Sequence, residues 1–206
     1  MLKQVRIDGI ILRASIVTFF LISALCLNLS CKSDDGGVVE FIEPTVDGLV
    51  GEGEYTKSKS LGGLFGNYKI YWGNDESFFY IAMKVKTDGW VAVGFQPEPG
   101  DIKKDVDFIL GYVANGEVFV FDLFSEKAEG PHRFDESLGG SNNIIEYDGS
   151  ETDGYTVIEF KRALNTGDPN DYIVKPGSVN ILWSYSQGDD ILKSHEGHRG
   201  YSTIDF

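Results

Sequence analysis

Thiols are nearly absent from this sequence: Cys26 and Cys31 are the only two in 206 residues. Cys26 lies inside an apolar run that a signal peptidase would remove, which leaves Cys31 as the one cysteine expected in the mature chain. A single cysteine cannot close an internal disulfide or build a thiolate zinc site. Histidine is scarce at three residues, and methionine at two. The sequence has no Gly-x-Ser-x-Gly elbow, no His-Glu-x-x-His and no phosphate loop. These shortages point to a protein that is not an enzyme. Basic charge is short as well, with 18 Lys and Arg against 32 Asp and Glu, for a net charge of −14. Lys3, Arg6 and Arg13 sit among the first thirty residues with Asp8 alone against them, so the remainder is more acidic still. Such a surface repels a phosphate backbone, which argues against nucleic acid as a partner.

The sequence also lacks a full membrane-spanning run. Its longest apolar stretch, Ala14 to Leu27, is shorter than the about 20 residues that a spanning helix needs. Basic residues precede it, and Leu27-Asn28-Leu29-Ser30-Cys31 and the polar Lys-Ser-Asp-Asp-Gly-Gly follow. This is the pattern of a bacterial lipoprotein signal, cut after Ser30 with lipid placed on Cys31. An uncleaved anchor, or a plain signal peptide with an incidental cysteine, would show the same features. The expected organisation is a signal peptide over 1–30, a polar tether over 31–40 and one domain over 41–206. The expected location is the cell envelope, lipid-anchored, at the periplasmic or outer-membrane face.

Glycine and aromatic residues are what the chain has in plenty, at 25 residues and 13%. That mixture suits strands joined by tight turns. Residues 43–55 read as a turn-rich leading segment. Strand patterns then recur at short spacing: Tyr68 to Trp72, Phe79 to Val85, Trp90 to Phe95, Val106 to Tyr112 and Val118 to Asp122. Ile144 to Tyr147, Tyr155 to Phe160 and Val179 to Tyr185 complete the set. Asn115-Gly116 is a type I′ hairpin signal. Only Lys161 to Leu164 and the stretch after Ser125 leave room for a helical turn. The pattern predicts an all-β protein of two packed antiparallel sheets, although a closed barrel would alternate in the same way.

Several motifs occur in a telling order. Thr87-Asp-Gly-Trp-Val-Ala-Val-Gly-Phe95 is followed by Asp105-Val-Asp-Phe-Ile-Leu-Gly111 and Val120-Phe-Asp-Leu-Phe-Ser125. Thr156-Val-Ile-Glu-Phe-Lys-Arg162, Leu164-Asn-Thr-Gly-Asp-Pro-Asn-Asp171, Ile181-Leu-Trp-Ser184 and His195-Glu-Gly-His-Arg-Gly200 come after them. From about Val46 to Phe206 the chain resembles the DOMON family, in the version related to dopamine β-monooxygenase and secreted b-type cytochrome domains. The resemblance implies an immunoglobulin-like β-sandwich with a pocket at one end. It implies haem b or a sugar as the small ligand, and a redox partner protein for a haem-bearing module.

Haem-binding relatives supply a Met just before the Asp of the strand after Gly-Phe, and a His near the C-terminal Arg-Gly. Ile102 stands at the first place and offers iron no donor, whereas Lys103 or Lys104 carries an amine. His195 fits the second place best, with His198 beside it. His132 reads as a surface-loop residue with no ligand role. Met83 shares a face with Phe79, Ile81 and Val85 and reads as core. Trp90 and Trp183 read either as core or, with Tyr185, as a wall for a planar ring or sugar face. Asp105, Asp107 and Asp122 fall on adjacent expected strands and offer hard oxygen donors for Ca²⁺, or serve as capping groups. A structural or adhesive surface role, with the pocket filled by side chains, is the remaining alternative.

Overall fold

The computed structural model describes residues 41–62, 66–96, 103–128 and 131–206. The signal segment, Cys31 and Ile102 lie outside the described residues. Among the described residues, eleven strands make two antiparallel sheets. They are β1 (Lys57–Leu61), β2 (Tyr68–Asn74), β3 (Phe78–Val85), β4 (Val91–Gln96), β5 (Val106–Ala114) and β6 (Glu117–Ser125). The rest are β7 (Arg133–Phe134), β8 (Ile144–Thr152), β9 (Tyr155–Ala163), β10 (Ser178–Tyr185) and β11 (Arg199–Asp205). The five-stranded sheet runs β1-β2-β3-β9-β8 and the six-stranded sheet β11-β10-β4-β5-β6-β7. The arrangement is a sandwich and not a closed barrel.

Strand alternation explains the packing. Phe79, Ile81, Met83 and Val85 all point from β3 into the space between the sheets and are fully buried there. Ile158 and Phe160 of β9, and Val91, Val93 and Phe95 of β4, meet them. The opposite face of the five-stranded sheet is covered as well. Tyr80 and Ala82 pack beneath residues of the leading segment such as Phe41, Val46 and Tyr55. Glu159 ties that segment down by accepting hydrogen bonds from the Asp47 and Gly48 amides at 3.2 and 2.8 Å and from the Tyr55 hydroxyl at 2.7 Å.

The six-stranded sheet also buries both faces, which is why β4 reads as a continuous apolar run. Its outer face carries Trp90, Ala92, Phe108, Leu110, Leu123 and Leu182. Asn115 and Gly116, at φ 54° and 79°, form the expected hairpin between β5 and β6.

Three strands escaped the sequence pattern: β1, β7 and β11 are edge or next-to-edge strands with polar, half-exposed residues. The helical turn expected after Ser125 appears as a 3₁₀ turn at Asp135–Leu138. The one expected at Lys161 to Leu164 does not form, because Lys161 and Arg162 continue β9 opposite Tyr80 and Phe79. The free edges β1 and β11 run near each other across the two sheets. The Lys57 and Lys59 ammonium groups donate to the backbone carbonyls of Asp205 and Thr203 at 2.6 and 2.8 Å.

Candidate functional site

A cavity of about 380 Å³ opens over the outer face of the six-stranded sheet. Its floor is Trp90, Ala92, Phe108, Leu110 and Leu123, and its rim includes Pro131, His132, Phe134, Leu192, Lys193 and His195. A volume of this order is that of an ordinary small-ligand pocket. The floor is fixed by Gly94, which pairs with Phe108 across β4 and β5. A Cβ on Gly94 would come within 2.5 Å of the Phe108 ring, so the absent side chain is what lets that ring lie flat.

The loop carrying His195 leaves β10 at Tyr185 and is held down by the Thr87–Trp90 turn. Ser186 N–H donates to the Trp90 carbonyl at 3.0 Å, and the Thr87 hydroxyl donates to the Ser186 carbonyl. Gly89 touches the backbone of Gly188 so closely that a Cβ would fall 2.2 Å from its nitrogen. A second turn closes the far end, where His198 N–H donates to the His195 carbonyl at 2.8 Å.

Lys103 and His195 meet at the cavity, with Nζ 3.3 Å from Nε2. An ammonium has only donors, so Nε2 is the accepting nitrogen and the ring proton belongs on Nδ1. Nε2 is thereby kept in the form that can bind a metal. His132 arrives from the other side and packs on the Phe108 ring, with centroids 4.2 Å apart. Burial, and then the neighbouring Lys103 and His195, push its pKa down to about 4. The imidazole is therefore neutral through the physiological range. Two residues of the lining each bury a polar atom, Trp90 Nε1 and His132 Nδ1, that has no hydrogen-bond partner among the described residues. Unsatisfied buried polar atoms are costly, and their gathering at one cavity marks a place where a ligand can meet them.

The structure thus brings Lys103, His195 and Trp90 together, as the sequence suggested, and adds His132. The surface-loop reading of His132 is corrected: its imidazole packs on Phe108 and lines the cavity, a long-range contact that local sequence pattern does not disclose. His198 does not line the cavity, because its ring stacks on Tyr185 at 4.6 Å. Trp183 and Tyr185 point from β10 into the inter-sheet side, where Trp183 packs on Tyr68 at 5.5 Å and lies across Gly200. Trp183 also borders a small hollow that shares Lys103, Phe108, His132 and His195 with the cavity, whereas Tyr185 lines neither.

The Ca²⁺ expectation is also revised. Asp105 is exposed and pairs with Lys104 at 3.3 Å, apart from the other two. Asp107 and Asp122 gather instead with Asp171 around the guanidinium of Arg162, which is wholly buried between the sheets. Arg162 grips both oxygens of Asp107, and Tyr172 N–H donates to Asp107 Oδ2 at 2.9 Å. The positive charge these carboxylates require is supplied from within the fold. Burial nevertheless pushes Asp122 up to about 8 and Asp171 to about 6.

The family profile described as the DOMON domain matches residues 64–186. DBH-like monooxygenase protein 1 of Mus musculus is 30% identical over 142 residues, covering 68% of this chain and 22% of that protein. The Homo sapiens protein of the same name is 27% identical over 157 residues, covering 75% and 24%. The chain thus spans less than a quarter of the length of these curated relatives. Among solved structures, the cytochrome b domain of pyranose dehydrogenase from Coprinopsis cinerea superposes with a TM-score of 0.50 at 14% identity, over 67% of this chain and 76% of that one. The cytochrome domain of Myriococcum thermophilum cellobiose dehydrogenase gives 0.51 at 11% identity, over 72% and 81%. At such identities the likeness is one of fold.

Proposed function

This chain belongs to the DOMON domain family, and on that premise we propose that it is a non-catalytic module that binds haem b, or a related planar redox cofactor, in the cavity over the six-stranded sheet. The observation that carries the reading is the convergence of nitrogen donors and orphaned polar atoms on one apolar floor. His195 offers its Nε2 lone pair, and Trp90 and His132, whose Nε1 and Nδ1 are buried without a hydrogen-bond partner among the described residues, line the same cavity. A haem held there would supply a reversible one-electron couple. Phe108, Leu110 and Leu123 would cover an apolar ring and keep water from it.

Charge favours the same ligand over a neutral sugar. Among the described residues the cavity lining includes Lys103 and Lys193 and no carboxylate, although the chain as a whole is strongly acidic. Such a lining suits a ligand that is apolar in its body and carboxylate-bearing at its edge. The two fungal cytochrome domains support the reading through their shared fold. Exchange of electrons with a protein partner belongs to the same proposal. So does attachment to a bacterial cell envelope through lipid on Cys31, which rests on the basic stretch, the apolar run and Ser30-Cys31.

Haemin titration into the purified full chain tests the ligand. One equivalent is expected to give a sharp Soret band, and His195→Ala is expected to lose it. A titration of the wild-type chain indistinguishable from haemin in buffer would sink the reading.

A further inference from the structure

We propose that His132 and His195 act as a pair of axial ligands, clamping the iron of one haem between two imidazoles. The inference rests on the haem reading above and goes beyond it by naming the second donor. It starts from topology. His195 sits on the loop between β10 and β11, at one edge of the six-stranded sheet, and His132 just before β7, at the other edge. Both imidazoles line the same cavity, whose floor is made by Ala92 of β4 and Phe108 and Leu110 of β5. Side chains that approach one floor from opposite edges can serve opposite faces of a flat ligand.

Each imidazole also shows a reason to be a ligand. His195 Nε2 is in its lone-pair form against Lys103. His132 Nδ1 is buried without a hydrogen-bond partner among the described residues, and the Phe108 ring supports the imidazole from below. Nitrogen from neutral imidazole is a good donor to haem iron, and two of them give a strong ligand field. Lys103 is the competing donor. It already contacts the very atom that His195 would give to iron, so it lies on the His195 side. Its task in the loaded protein is to release that nitrogen, and its charge is then available to a carboxylate of the ligand.

Haemin loading of the full chain, read by absorption and electron paramagnetic resonance, decides the matter. The wild-type ferric complex is expected to be low-spin. His132→Ala is expected to bind haemin still, to become high-spin, and to return to low-spin when free imidazole is added. A His132→Ala complex that stays low-spin overturns the pairing while leaving the haem reading intact. Loss of the low-spin signal in Lys103→Ala, with His132→Ala unchanged, assigns the second position to the lysine and also overturns it. A wild-type chain that takes up no haemin overturns both. Circular dichroism of each variant separates loss of a ligand from loss of the fold.

Discussion

Asp107 and Asp122 stand on neighbouring strands and face the same guanidinium, yet they differ in role. Asp107 takes both ends of Arg162 and a backbone N–H besides, while Asp122 Oδ1 lies 3.7 Å from Arg162 and outside hydrogen-bond reach. Removing the charge of Asp107 leaves a buried arginine without its main partner, and breaking such a pair costs about 3–5 kcal/mol. Asp122, with its pKa pushed to about 8 by burial, is largely protonated at neutral pH, so an amide in its place changes little. Asp107→Asn is therefore expected to lower the thermal midpoint steeply and Asp122→Asn hardly at all. The sign of the pH dependence follows. The folded protein holds protons on Asp122 and Asp171 that the unfolded chain has released, so the contribution of these two groups to stability is full below about pH 4 and is lost as pH rises toward about 8. Thermal melts at pH 5 and pH 8 should show the wild type more stable at pH 5. Asp122→Asn should narrow the gap; an unchanged gap would contradict this account.

The turn at Thr87–Trp90 and the loop after β10 work as one element, since each supplies the other's hydrogen bonds. Gly89 is the joint. A methyl group there cannot fit against Gly188, so Gly89→Ala must lift the His195 loop by bending backbone. The expected result is a native circular dichroism spectrum with haemin affinity reduced about tenfold or more, since a displacement of about 1 Å at a positioned group costs on that order or beyond. An unaltered affinity would separate the loop from the site. This element also shows what the sequence could disclose. The strands of the core were legible because alternation of large apolar residues is a local signal. Lys57-Ser-Lys-Ser-Leu61 and Arg199-Gly-Tyr-Ser-Thr-Ile-Asp205 were not, because edge strands bury little and need no apolar face. His195 was reachable through its motif, whereas His132 meets the cavity through its long-range contact with Phe108, which no local pattern signals. Asp107 and Asp122 were paired in the sequence, but Arg162 and Asp171 were missed as their partners for the same reason. The sequence separates them by up to 64 residues, from Asp107 to Asp171.

For the molecule as a whole, lipid on Cys31 would bring the cavity to a surface where a partner can be found in two dimensions. Labelled palmitate is expected in the wild-type chain and not in Cys31→Ala, which should pass to the soluble fraction. Equal labelling of both would remove the anchor from the proposal. The lysines that reach from β1 to β11 carry a further consequence for a protein concentrated in this way. An open sheet edge is a template on which another copy can add its own strand. On β11 the outward carbonyls of Thr203 and Asp205 are already taken by Lys59 and Lys57, and Trp72 Nε1 also donates to the Asp205 carbonyl at 2.9 Å. Each sheet thus shields the other's border with side chains instead of joining it with backbone. The sandwich stays open in its hydrogen-bond ladder yet closed to addition along that seam, which guards crowded copies against polymerising edge to edge.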